Sequence, residues 1–270
     1  MTPRSRSRPF LLSALALIAL FAATYLVFER TYLGELIDER AFTGAVIRHT
    51  LLFRLAGILL GILPVLAVAA GVLTVAIVGV ATRRFKQLVV AVAVAGIAFG
   101  LAEVLKHVLL TRAETGATIS TTNTFPSGHT TTAAACAFAV FVVATPRYRR
   151  LAALIGATVT FLVGLATLVQ QWHRPSDVIA GLVLVAACGC VGGAVLSWWR
   201  VPAATGPARP LTALWWVGGA AGLASLASFV MLGMSSGAHL QIAFLGGSSA
   251  ILATAALLTA AGNRVFRHLS

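Results

Sequence analysis

The chain has 270 residues, of which 59% are apolar and only 10% charged. That balance excludes most soluble globular domains, and apolar runs near twenty residues, in place of short alternating segments, exclude a β-barrel. The net charge of +13 does not point to nucleic acid, because the basic residues sit mainly in short stretches between apolar runs, where they orient membrane helices.

In chain order, residues 1–9 are basic (Arg4, Arg6, Arg8) and precede an apolar run over 10–28. That run is long for a secretory leader and no small-residue cleavage site follows, so it reads as a retained first span. Residues 29–50 read as a polar loop holding Glu29, Glu35, Asp38 and Glu39. A second span covers about 54–81, with a kink expected at Pro64. After the basic turn Arg83-Arg84-Phe85-Lys86, a third span runs to about 110, its last turns carrying Glu103, Lys106 and His107, with Arg112 just beyond. The polar loop 113–125 leads to a fourth span that begins near Ser127 and ends before Pro146. The fifth covers about 151–171, and the sixth runs from Ser176 or Asp177 to Arg200. A Pro/Gly/Ala linker, 201–210, precedes a seventh span at 211–233; a turn with His239, read as a surface residue, and an eighth span follow, and Arg264 and Arg267 close the chain. The fold class is therefore an all-α polytopic membrane bundle of about eight helices. Cys136, Cys188 and Cys190 all fall inside apolar runs and read as buried thiols; Cys188-Gly-Cys190 has neither zinc-site nor redox-pair spacing.

Charge counting sets an orientation. With a cytoplasmic N-terminus, thirteen of the 20 basic residues fall on the cytoplasmic side, and the other seven share the outer side with all seven acidic ones. Both termini are then expected in the cytoplasm, and both histidine clusters, with Lys106 and Arg112, face outward.

Two short stretches carry chemistry. Phe125-Pro126-Ser127-Gly128-His129 lies where a polar loop turns into an apolar helix, and Gln171-Trp172-His173-Arg174-Pro175-Ser176-Asp177 lies one helical hairpin further on. Glu103, Lys106, His107, Arg112, His129, His173, Arg174 and Asp177 thus come from three helix ends at one membrane depth, and ionisable groups so close to hydrocarbon are read as functional. Snorkelling at helix ends is the plainer account of any one of them. Lys106 and Arg112 offer fixed positive charge, and Arg112 can hold two phosphate oxygens at once. Ser127 and Gly128 open a helix whose first N–H groups favour an anion, although Ser127 also suits a simple cap. A lone histidine such as His129 is more often a packing residue. A second histidine with a carboxylate four positions on changes that: Asp177 can hold one nitrogen of His173 and free the other as a nucleophile, though Asp177 can also cap the sixth span.

FPSGH with HRPSD, preceded by a basic pair at the end of the previous helix, resembles the type 2 phosphatidic acid phosphatase (PAP2) superfamily, over roughly residues 85–200. The resemblance implies a six-span phosphatase part, 10–200, with 211–270 as two added spans and a short basic tail. It implies His173 as the residue that becomes a phosphohistidine, supported by Asp177, and His129 as the general acid. It also implies Lys106, Arg112, Ser127 and Gly128 as phosphate ligands, with no metal or other cofactor. Five residues separate Lys106 from Arg112 where the family usually has six, and Ala113 stands where it usually has proline. Thr167 occupies the place of the third motif's arginine, and Arg174, beside His173, is the candidate to replace it. The expected partners are a lipid phosphate substrate, polyprenyl or phosphatidate in type, and membrane lipids, with no nucleic acid. Transfer to an acceptor other than water, a catalytically impaired relative, and a non-enzymatic lipid-phosphate binder or transporter remain alternatives. Gly218, Gly219, Gly222, Gly246 and Gly247 suggest close helix packing in the last two spans, with a structural or substrate-lining role.

Overall fold

A computed structural model describes residues 3–45, 50–118, 122–199, 201, 210–234 and 239–267, with the side chains of residues 3–5 and 63–67 outside that description. The described residues form nine α-helices and one π-helical turn. They are α1 (Pro3–Phe28), α2 (Tyr32–Gly44), α3 (Leu51–Ala81), α4 (Phe85–Val104), the π-turn Leu105–Leu109, α5 (Gly128–Val143), α6 (Pro146–Val169), α7 (Pro175–Trp198), α8 (Thr212–Met234) and α9 (Leu240–Phe266). Six of these segments are individually long and apolar enough to cross a bilayer, and α3 and α5 add shorter apolar stretches, which is compatible with about eight spans in a multi-pass membrane protein. The Pro64 side chain, Arg200 and residues 202–209 of the expected linker lie outside the described residues.

Helix starts follow from their caps. Thr31 Oγ1 accepts from the Gly34 N–H and Thr50 Oγ1 from the Phe53 N–H, while Pro146 and Pro175 open α6 and α7, where a missing N–H costs nothing. α7 is the most buried of the long apolar helices and forms the axis of the bundle. Its glycines admit one neighbour after another: an added Cβ at Gly181 would press on Ser127 O and Thr131, at Gly189 on the Phe138 ring, at Gly192 on Val90 and Val94, and at Gly193 on Phe10 and Phe266. Small residues let helices approach in a medium where lipid tails give no hydrophobic incentive to associate. In the α8–α9 pair, Gly218 faces Leu257, Gly246 faces Ser228 and Phe229, and Gly247 faces Pro175 and Ala41, whereas Gly219 faces open space and Gly222 makes only an ordinary contact with Ala253.

One element differs from expectation. Residues 32–44 form the helix α2, not a loop. Its polarity is inverted: the buried face carries Gly34, Glu35, Asp38 and Ala41, while Tyr32 and Leu33 are exposed. A search for apolar periodicity passes over such a helix, because its carboxylates point inward. α2 packs on α9 and touches α1 and α7, so it lies over the end of the bundle that holds the histidines.

Candidate functional site

The site is built from four chain segments at that end. α4 loosens into the π-turn, closed by the Leu110 N–H on Leu105 O at 2.8 Å, and such turns often mark functional positions. Lys106 lies on it with Nζ 3.5 Å from Glu103 Oε1, while Glu103 Oε2 is 3.3 Å from His107 Nε2. Beyond Leu110 the chain is extended, which absorbs the unusual Lys106–Arg112 spacing. The Asn123 amide donates to Lys106 O and Leu110 O, both at 2.9 Å, and its Oδ1 accepts from the Phe125 N–H, so the loop before Pro126 is clamped to the lysine turn.

α5 starts at this clamp. Ser127 is fully buried and caps the helix: its Oγ accepts from Thr130 N–H at 3.3 Å and Thr130 Oγ1–H at 3.1 Å, and its own N–H donates to Asp177 O at 2.9 Å. A Cβ on Gly128 would lie 3.2 Å from Glu103 Oε1 and 3.4 Å from Lys106 Nζ, so the lysine and its carboxylate partner face the start of α5 at close range.

The turn between α6 and α7 supplies the second histidine. Gln171 adopts the left-handed conformation at φ 56°, and the Trp172 and His173 N–H groups both donate to Thr167 O. Thr167 is fully buried, with its hydroxyl donating to Gly164 O, so the place of the absent arginine serves helix termination. His173 Nδ1 lies 3.4 Å from Asp177 Oδ2, which also accepts from Thr124 Oγ1–H at 2.7 Å and the Arg174 N–H at 2.9 Å. Asp177 therefore caps α7 and holds the imidazole at once. The His129 and His173 ring centroids are 6.0 Å apart with planes at 62°, and the Trp172 ring, 46% exposed as a residue, sits 5.3 Å from His129.

Residues 87–202, which include both histidine motifs, match the family model of the PAP2 superfamily. This segment is a PAP2 superfamily domain. No curated protein and no solved structure matches the chain. PAP2 domains are generally phosphatases acting on phosphate esters.

Outside the PAP2 segment, the end of α1 and the buried face of α2 bring four carboxylates to it. Arg112, a ligand candidate from the sequence, has no exposed side-chain surface; its Nε donates to Glu35 Oε1 at 2.8 Å and its Nη1 lies 3.5 Å from Glu29 Oε2. Glu35 Oε2 also accepts from Thr115 Oγ1–H. Arg174 donates through Nε and Nη2 to Glu39 Oε2, at 2.9 and 2.6 Å, with its guanidinium over the Phe42 ring. Asp38 accepts from Ser176 N–H at 3.1 Å and Ser176 Oγ–H at 2.6 Å, at the head of α7. Lys106, Ser127, Gly128, His129, His173 and Asp177 thus converge, with Lys106 paired to Glu103, whereas Arg112 and Arg174 are drawn toward the carboxylates of the α1–α2 region. The residues missed by sequence reading are Glu29, Glu35, Asp38, Glu39, Asn123 and Thr124; the one signal for the first four was an acidic cluster next to a chain that is acid-poor elsewhere.

Burial governs the charge of these acids. For Arg112, desolvation works against its charge, but Glu29, Glu35 and Asp177 outweigh it and raise its pKa. Burial, then Asp177, pushes Glu29 up to about 8 against the pull of Arg112, and burial, then Asp177, pushes Asp38 up to about 7 despite its bonds to Ser176. A carboxyl group whose folded pKa is raised keeps its proton in the native state after the unfolded chain has lost it, so its contribution to stability is greatest below the ordinary value and fades as pH rises through the folded one. Thermal stability is therefore expected to fall between about pH 4.5 and 8. Glu29→Gln should make that fall shallower; melting curves from pH 5 to 8 on both proteins check this, and identical slopes would contradict the assignment.

Proposed function

We propose that the PAP2 domain hydrolyses a phosphate monoester or diphosphate carried on a lipid, at the outer membrane face, by way of a phosphohistidine on His173. The observation that carries this reading is the pair of imidazoles 6.0 Å apart, one of them held by a buried aspartate. Rings at this separation suit a phosphorus approached by one and a leaving oxygen reached by the other, given reacting distances of about 3–3.5 Å.

With Nδ1 of His173 held by Asp177, Nε2 attacks phosphorus. The bond from phosphorus to the leaving oxygen breaks, and His129 supplies the proton that leaves with the lipid alcohol of a monoester or the lipid monophosphate of a diphosphate. His129 then takes a proton from water, whose oxygen attacks the phosphohistidine; the phosphorus–nitrogen bond breaks and inorganic phosphate departs. Lys106 and the N–H groups of Gly128 and His129 at the start of α5 receive the phosphoryl oxygens. Arg112 contributes Nη1 and Nη2, which are buried without a hydrogen-bond acceptor among the described residues. Arg174, bound twice to Glu39, orients the α6–α7 turn. A lipid substrate is supported by the position of the site at helix ends, where headgroups lie, and by the half-exposed Trp172 beside His129, a residue type favoured at that depth. No metal enters this scheme.

A second reading, lipid-phosphate binding without turnover, draws support from Thr167 and from the carboxylates that hold both arginines. A substrate panel separates the two. Purified protein with polyprenyl phosphate, polyprenyl diphosphate, phosphatidate and a soluble aryl phosphate is expected to release phosphate fastest from a lipid substrate. Binding of the lipids with no release from any of them would sink hydrolysis.

A further inference from the structure

The end of the bundle opposite the histidines holds a second cluster of cations with a different environment. Arg84, in the α3–α4 turn, donates through Nη1 to Ala144 O at 2.9 Å and Val143 O at 3.5 Å, the last carbonyls of α5. Lys86 donates to Trp199 O at 2.9 Å. Arg149, in the first turns of α6, is partly buried; its Nε and Nη1 are enclosed without a hydrogen-bond acceptor among the described residues, and its guanidinium lies over the Phe141 ring at 5.7 Å. Arg84 bonds Ala144 O and the Arg149 N–H donates to the next carbonyl, Thr145 O, at 2.9 Å, so both arginines are anchored at the α5–α6 junction.

No acidic side chain of this chain lies at that end. All seven, Glu29, Glu35, Asp38, Glu39, Glu103, Glu114 and Asp177, belong to the histidine end or the loops above it. The 16 residues of α5 alone separate the two ends by about 24 Å. A partly enclosed guanidinium without a counter-charge is costly, and no acidic side chain of the chain is placed to supply one.

Beside the two arginines opens an apolar cavity of about 640 Å³ between α3, α5 and α6, lined by residues such as Gly71, Ile77, Cys136, Val140, Leu151 and Ile155. Its lining reaches Thr82, Ala144 and Tyr148, the neighbours of Arg84 and Arg149. The volume is that of a small-molecule site, and the walls suit a hydrocarbon chain.

We propose that this end binds an anionic phospholipid from the adjacent leaflet, with its phosphate on Arg149 and Arg84 and one acyl chain in the α3–α5–α6 cavity. The site is independent of the histidine centre and of which face is cytoplasmic. Free phosphate would satisfy the arginines but leave the cavity without a role, so the lipid is the occupant that both observations select.

The test uses the full chain, purified in detergent, with phosphatidylglycerol, phosphatidylcholine or inorganic phosphate added, read by melting temperature and by native mass spectrometry. Phosphatidylglycerol is expected to raise the melting temperature by several degrees and to remain bound, and phosphatidylcholine to do neither. Arg149→Gln should weaken phosphatidylglycerol binding at least tenfold, while Arg150→Gln, at an exposed position, should leave it unchanged. Leu151→Trp, which fills the cavity from a half-exposed position without touching charge, should weaken it as well and carries the test if Arg149→Gln does not fold. Equal binding of the two lipids, wild-type affinity in Arg149→Gln or Leu151→Trp, or reproduction of the shift by inorganic phosphate alone would overturn the proposal.

Discussion

Replacing His173 with alanine is expected to lower phosphate release from the best lipid substrate by at least ~10⁴-fold, since under the proposed mechanism the nucleophile has no substitute in the site. His129 cannot take its place: no carboxylate bonds it among the described residues, and its ring stands across from His173 at 6.0 Å. The loss should fall on kcat, with lipid binding retained, because Lys106 and the start of α5 are untouched by the change. Rapid quenching in alkaline detergent after reaction with a radioactive lipid phosphate should leave a base-stable, acid-labile phosphoryl group on the wild-type chain and none on His173→Ala. Turnover within tenfold of wild type would remove His173 as nucleophile.

The second large effect concerns stability. Glu35→Gln is expected to cost about 3 kcal/mol, the lower end of what breaking a buried ion pair costs. Arg112 has no exposed side-chain surface, and Glu35, at 2.8 Å from its Nε, is its closest carboxylate. With that charge gone, Arg112 is left with Glu29 at 3.5 Å, which holds a proton up to about pH 8. Ionisation of Glu29 can recover part of the loss, so Glu35→Gln should be more damaging at pH 6 than at pH 9, the reverse of a purely steric effect. Denaturant unfolding in detergent at the two pH values measures this, with the Glu29→Gln/Glu35→Gln double variant expected to lose more than the sum of the singles. A Glu35→Gln protein as stable as wild type at pH 6 would contradict the argument.

Much of this architecture was readable from residue order. The apolar runs located the helices because spanning segments must be long and bond their own backbones, and Pro126-Ser127 and Pro175 marked where α5 and α7 begin. The four-residue step from His173 to Asp177 announced their pairing. It did not reveal that Asp177 would also accept from Thr124 and from the Arg174 N–H, since those bonds depend on how the 122–126 loop crosses α7. The π-turn under Lys106 was not legible either: a single i→i+5 bond has no compositional signature. α2 stayed hidden for a stronger reason. Its carboxylates are stabilised by Arg112, Ser176 and Arg174, residues 77 to 138 positions away, so nothing local in the chain distinguishes that helix from a solvated segment.

The seating of α2 also links the two ends of the chain. A side-chain carbon at Gly44 would overlap Leu240 O, and Gly247 of α9 is pressed against Ala41 and Pro175, the residue that opens α7. The terminal hairpin, outside the segment shared with the superfamily, therefore acts as a buttress. It props the helix that presents Glu35 to Arg112 and Asp38 to Ser176, so the seating of those contacts is decided by residues outside the shared segment.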